Sequence, residues 1–144
     1  MEFICKRFEE LTVHELHDIY RARCRVFVVE QECPYQDVDG LDGICHHLFF
    51  RDDDGLAAYL RLFPRPGHEN TVQIGRVLTI KRGVGLGKQL MEEAIRVAGR
   101  EYPGHGLFLE AQVQAIGFYE KVGFRVTSDE FDEDGIPHVT MERN

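Results

Sequence analysis

No apolar run in this chain approaches the roughly 20 residues that a membrane-spanning helix needs, which excludes an integral helical membrane protein. The stretch from Met1 to Arg7 lacks the basic start and apolar block of a secretory signal, so the expectation is a cytoplasmic protein. Basic residues are the minority: 17 Lys and Arg stand against 25 Asp and Glu, a formal charge of -8. Attraction to a phosphate backbone is therefore weak, and neither nucleic acid nor a membrane is an expected partner. Cysteine is sparse. Cys5, Cys24, Cys33 and Cys45 include no C-x-x-C pair, so free thiols packed as small hydrophobes are expected. A zinc site built from Cys33, Cys45, His46 and His47 matches no common ligand spacing, and adjacent histidines in a strand face opposite ways. The expectation is no metal. Repeats and low-complexity segments are absent as well.

With 43% apolar residues, 144 residues suffice for one core, and a single domain spanning residues 1–144 is expected. The acids gather at Asp37 to Asp42, Asp52 to Asp54 and Asp129 to Asp134, which favours a cationic partner. Solubility alone accounts equally well for Asp52 to Asp54, because that run precedes Gly55 as a turn does.

Phe3 to Phe8 alternates as a strand. Thr12 and Glu15 then form a capping-box pair, and Leu16, Ile19, Tyr20 and Phe27 mark one face of a helix running to about Val29. Glu30 to Cys45 reads as a long loop, of the kind that often walls a substrate site. His47 to Arg51 and Leu56 to Phe63 predict a hairpin, and Val72 to Ile80 a further strand with Gly75 as the point for a bulge. Helical spacing resumes at Leu86 and stops near Gly99. Leu107 to Leu109 predicts a short strand, Ala115 to Val122 a short helix, and Phe124 to Val126 with Ile136 to Met141 a last strand pair. This order describes a mixed α/β domain.

Between the strand ending at Ile80 and the helix from Leu86 lie Arg82, Gly83, Val84, Gly85, Leu86, Gly87 and Lys88. Glycines let backbone N–H groups wrap phosphate oxygens, the helix start adds its positive dipole end, and Arg82 and Lys88 add charge. A Walker loop is ruled out, because Gln89 follows Lys88 and Arg82 stands at the first glycine. A dinucleotide fingerprint fails on the placement of its third glycine. A merely flexible turn is the plain alternative.

At these residues the sequence resembles the GNAT acetyltransferase superfamily, whose pyrophosphate motif is matched by Arg82, Gly85 and Gly87. Its later motif is similar to Gln112, Ala115, Phe118, Tyr119, Gly123 and Phe124, with Gln112 where Asn is usual. Arg23 to Gln31, Cys33 to Asp37 with Asp39 and Gly40, and Glu133 to His138 resemble the ElaA-type branch. Arg76 and Arg82 stand closer together than the family's connection normally allows.

The resemblance implies a mixed, mostly antiparallel central sheet flanked by helices, and direct acetyl transfer from acetyl-CoA to an amine without an acyl-enzyme. It implies cofactor contacts from the Val77, Leu78 and Thr79 backbone, from the turn Arg82 to Lys88, and from Gln112 and Tyr119. Tyr119 matches the tyrosine that protonates the departing thiolate, against a plain role as a packed aromatic. Glu30, Glu110 and His138 remain open as the base that takes the amine's proton, each with an ordinary surface or turn role as its alternative. Expected partners are a small-molecule or peptide amine, cationic and approaching past Asp37 to Asp42, and a second copy of the chain in a homodimer. A CoA-binding sensor or scaffold without turnover is the rival from another class, and a metal-binding regulator a third.

Overall fold

Alternating side chains around Ile4 produce strand β1 (Glu2–Arg7), the outer member of a sheet that takes in all eight strands. The computed structural model describes every residue from Met1 to Asn144. After β1 come α1 (Val13–Arg23), β2 (His46–Asp52), β3 (Gly55–Pro64), β4 (Thr71–Thr79), α2 (Leu86–Glu101) and β5 (Gly106–Gln112). The chain ends with α3 (Ile116–Glu120), β6 (Arg125–Val126), β7 (Phe131–Glu133) and β8 (Ile136–Arg143). The lateral order is β1-β2-β3-β4-β5-β8-β6, with β7 also on β8. Only β4 and β5 run parallel, so the sheet is mixed and mostly antiparallel, as expected.

Period-two alternation divides the core between the faces of this sheet. Leu48, Leu60, Leu62 and Ile74 face the apolar stripe of α2, which is Leu90, Met91, Ala94, Val97 and Ala98. Phe49, Tyr59 and Leu78 face Ile19, Ala22 and Val26 on the other side. Thr12 starts α1 as its spacing predicts: its Oγ1 accepts from the Glu15 N–H at 3.0 Å, and Glu15 accepts from the Thr12 N–H at 2.9 Å. The helix does not simply fray at the β-branched run. It widens into a π-helical turn over Cys24–Glu30, a form that concentrates at functional sites.

Two further departures from the sequence reading matter. Between the two strands of the predicted last pair, the chain turns only at Asp134 and Gly135, with φ of 53° and 81°. Positive φ at both central residues suits a two-residue hairpin, so residues 131–133 become a strand that the pattern did not predict. The bulge assigned to Gly75 involves Arg76, whose φ is 53°. Tyr59 pairs with Leu78 but Arg61 with Gly75, which leaves one extra residue in β4. Parallel pairing of β4 with β5 runs from Thr71 opposite Gly106 to Ile74 opposite Leu109, and there it ends. Beyond that point the strands separate.

Arg76 is held in this conformation by the preceding loop. Its Nε lies 3.0 Å from Asp37 Oδ1, and its Nη2 donates to the Asp37 carbonyl at 3.1 Å. The fully buried Arg23 donates to Asp37 Oδ2 at 2.9 Å and to Asp42 Oδ1 at 2.6 Å. Arg61 donates to Asp42 Oδ1 at 3.0 Å and to Asp39 Oδ1 at 2.9 Å. Asp37 and Asp42 are buried, so this loop does not present the free negative face expected for attracting a cationic acceptor. Its charges are spent on three arginines.

Burial alone raises the Asp39 and Asp42 carboxyls, but the Arg61 and Arg23 hydrogen bonds and charges outweigh it and hold both below their ordinary range. The stability they contribute is complete above the ordinary aspartate range and is lost as pH falls through their lowered values. Asp42→Asn should cost about 3–5 kcal/mol in urea unfolding at neutral pH, because Arg23 is left buried and undercompensated. Exposed Asp53→Asn should stay within about 0.5 kcal/mol of the parent. Equal losses for the two variants would show that the network does not hold the loop.

Candidate active site

Where β4 leaves β5, a cavity of about 560 Å³ opens, lined among others by Phe63, Arg76, Glu110, Tyr119, Glu133 and His138. A second hollow of about 480 Å³ lies beside it, lined by the glycine turn, Lys81, Lys88, Phe118 and Lys121. Val77, Leu78, Thr79, Arg82 and Tyr119 border both. No strand lies beside the cleft-facing edge of β4 past Ile74, so the sheet leaves backbone groups there without partners.

The second hollow is an anion cradle by construction. Gly85 caps α2 with φ of 77°, a left-handed conformation that side chains resist, and the first helical bond is Gln89 N–H to Gly85 carbonyl at 3.2 Å. The amides before Gln89 have no intrahelical acceptor. Lys81, Arg82, Lys88 and Lys121 line the hollow and no carboxylate does. Gly87 has a different reason to be glycine: a Cβ there would stand 3.2 Å from the Phe118 ring, so its absence lets α2 close on α3.

The expected cofactor residues divide accordingly. Val77, Leu78, Thr79, Arg82, Gly83, Gly85, Leu86, Gly87, Lys88 and Tyr119 surround the cradle. Val84 points to solvent instead, because it sits at the crest of the turn between two left-handed glycines. Gln112 lies on the wall of the first cavity, where it donates to Gln31 at 3.2 Å and accepts from Gln114 at 2.6 Å.

Of the three candidate bases, the structure brings two together. Glu30 lines neither cavity. It accepts from Arg82 at 2.7 Å and from Arg25 at 3.3 Å, and the Arg82 bond, followed by its charge, holds the exposed carboxyl below its usual range. A carboxylate so stabilised is a weaker proton acceptor, so the geometry favours the other two candidates over Glu30. Glu110 and His138 both face the first cavity from the adjacent strands β5 and β8.

Between them stands Glu133, which the sequence reading quoted in a motif without giving it a role. Glu133 Oε2 lies 3.4 Å from His138 Nε2, and Glu110 lines the same cavity. Burial, then the Glu110 hydrogen bond and charge, push Glu133 up to about 7. His138 Nδ1 donates to the Ile136 carbonyl at 2.7 Å, since a carbonyl can only accept, and this turns Nε2 toward Glu133. Position beside an Asp-Gly turn was the available signal for Glu133. Lys121, missed by the sequence reading, and Phe118, named there only as part of a motif, stand three residues apart on either side of Tyr119, a spacing that brings the two near each other.

Tyr119 packs its ring against Phe118 and Phe124 at centroid distances of 5.0 and 6.2 Å. Burial pushes its phenol up to about 12, so the hydroxyl keeps its proton at neutral pH. Of the thiols, Cys24 is exposed, and buried Cys33 lines the first cavity but donates to the Asp134 carbonyl at 3.5 Å. His46 and His47 face opposite ways, His46 against Tyr102 and His47 against Tyr59.

The chain is similar to known proteins over nearly its whole length. The acetyltransferase (GNAT) domain model matches residues 15–144. A UPF0039 protein of Schizosaccharomyces pombe is 45% identical over 145 residues, covering 98% of this chain and 95% of the relative. Protein ElaA of Escherichia coli is 39% identical over 138 residues, covering 93% of this chain and 90% of its own length. The crystal structure of that ElaA has a TM-score of 0.93 at 37% identity over 99% of both chains. An acyl-CoA N-acyltransferase from Pseudomonas aeruginosa has a TM-score of 0.93 at 42% identity over 100% of both.

Inorganic pyrophosphate is the simplest probe of the cradle. Titration calorimetry at low salt should find Gly85→Val binding it at least about tenfold more weakly, because left-handed backbone at a β-branched residue is strained and the amides are displaced. Binding equal to the parent's would place the anion elsewhere.

Proposed function

The chain belongs to the GNAT acetyltransferase family and is an acyltransferase, and from that premise we propose that it moves acetyl from acetyl-CoA directly to an amine held between β4 and β5. One observation carries the reading: Val77, Leu78, Thr79, Arg82 and Tyr119 border both the cationic cradle and the carboxylate-walled cavity, so two ligands of opposite charge meet at these residues.

The cradle suits acyl-CoA, whose pyrophosphate matches free helix-start amides and the ammonium groups of Lys88 and Lys121, while Lys81 pairs with Asp52 and Asp54 and Arg82 with Glu30. Bound there, acetyl-CoA supplies a thioester carbon to which the amine nitrogen bonds while the C–S bond breaks and its electron pair leaves with sulfur. The cleft-facing edge of β4 from Val77 to Thr79, which β5 does not cover, offers a fixed N–H donor for the carbonyl oxygen as it gains charge. Tyr119 carries its proton at working pH and stands at the junction, which supports it as the acid for the sulfur. No cysteine nucleophile is required. A cationic acceptor remains the favoured class, and its support now comes from Glu110, Glu133 and Asp134 on the cavity wall rather than from the neutralised loop.

Release of CoA thiol from acetyl-CoA, measured across a panel of primary amines with mass spectrometry of the products, tests this function. Turnover with acetylated amine supports it, and tight CoA binding without release for any amine makes the chain a binding module instead. Tyr119→Phe removes only a hydroxyl. It should lower kcat by about ten- to a thousandfold with acetyl-CoA affinity nearly unchanged. A weaker affinity at unchanged kcat would assign the hydroxyl to cofactor binding.

A further inference from the structure

We propose that Glu133, poised at the tip of the β7–β8 hairpin, takes the proton that the acceptor amine must lose before attack and passes it to His138. This rests on the acetyl-transfer reading. An aliphatic amine is an ammonium ion at neutral pH and has no lone pair to attack with until one proton leaves.

The charged groups facing Glu133 come from every element around it. Glu110 approaches from β5, His138 from β8, Asp134 from the turn and Arg76 from β4. Arg76 is already engaged by Asp37 and Asp39, so it neutralises the carboxyl pair only in part. Burial, with the Glu110 carboxylate beside it, disfavours the ionised form of Glu133, which holds its proton until pH nears neutrality. An incoming ammonium changes that balance. Its positive charge favours the doubly ionised pair, after which the transfer is R–NH3+ plus Glu133 carboxylate giving R–NH2 plus Glu133 carboxylic acid.

Glu133 is preferred over Glu110 because, of the two, Glu133 is the one with an imidazole nitrogen beside it to take the proton onward. His138 Nε2 lies 3.4 Å away, turned toward it by the Nδ1 bond to Ile136, and the ring is stacked on Phe131 at 6.0 Å. The carboxylic acid gives its proton to that nitrogen, and the imidazolium yields it to water when the cavity opens. Glu110 then sets the state of its neighbour rather than acting itself.

The test has two arms, the first independent of turnover. Carboxyl 13C NMR of the free, glutamate-labelled protein should show Glu133 titrating near 7, and Glu110→Gln should move that midpoint down by about one pH unit or more as the Glu110 charge beside it vanishes. Titration of Glu133 in the ordinary carboxylate range in the parent would overturn the proposal. In the second arm, thiol release with butylamine well below saturation should give a kcat/KM that rises as pH passes through about 7, the range where Glu133 of the free protein ionises, because the ionised form is the active one. Glu133→Gln should lose that rise and slow kcat by about ten- to a hundredfold with KM for butylamine changed little, and Glu133→Asp should recover part of the rate. A parent-like pH profile in Glu133→Gln would overturn the proposal while leaving acetyl transfer intact. No thiol release by the parent with butylamine or any other amine would overturn the acetyl-transfer reading, and the proposal with it, whatever the NMR midpoint.

Discussion

The separation of β4 from β5 after Ile74 and Leu109 is the constraint on which the rest of the molecule depends. A sheet normally closes its ladder hydrogen bonds, and leaving an edge open in the middle costs stability that something else must offset. Here the offset is local and electrostatic. The bulge puts Arg76 in a left-handed conformation worth about 1–3 kcal/mol of strain, and the Asp37 and Asp39 carboxylates hold it there. The same aspartates tie down the loop that forms one wall. Strand splay, loop position and cavity are thus one coupled arrangement.

Charge is sorted on either side of this opening. A cationic hollow with helix-start amides lies next to the glycine turn, and a wall carrying Glu110, Glu133 and Asp134 lies across the cleft. Between them, Arg23, Arg61 and Arg76 cancel Asp37, Asp39 and Asp42, so neither field is blurred by the loop. Under the proposed function, a negatively charged cosubstrate and a positively charged acceptor approach from opposite sides without crossing each other's repulsive surface. Buried ion pairs are weak sources of net stability, which suggests that this network serves position more than folding energy.

Much of this architecture was legible before any coordinates. Period-two and helical spacing fixed the larger elements, and the Arg82 to Lys88 turn and the Tyr119 segment pointed to the family. What escaped the reading was tertiary. Asp37 to Asp42 looks like a solvated acidic loop until the partners, 14 to 39 residues away in sequence, are seen beside it. Gly75 drew the bulge assignment because glycine is permissive, whereas the unusual backbone fell on Arg76, whose side chain finds its ion pairs only in that conformation. Glu133 was unreadable for the same reason: its perturbation comes from Glu110 and His138, which only strand pairing brings near. Glu30, conversely, stood in a suggestive motif and turned out to be committed to Arg82.

The central claim is that two ligands meet at the mouth of the β4–β5 cleft beside Tyr119. A crystal structure of the protein soaked with CoA measures this directly. The account predicts the pyrophosphate on the amides preceding Gln89, the pantetheine arm along Val77 to Thr79, and the thiol sulfur within hydrogen-bond distance of the Tyr119 hydroxyl, facing Glu110 and Glu133. CoA bound with its sulfur directed away from that cavity, or bound elsewhere on the molecule, would contradict it.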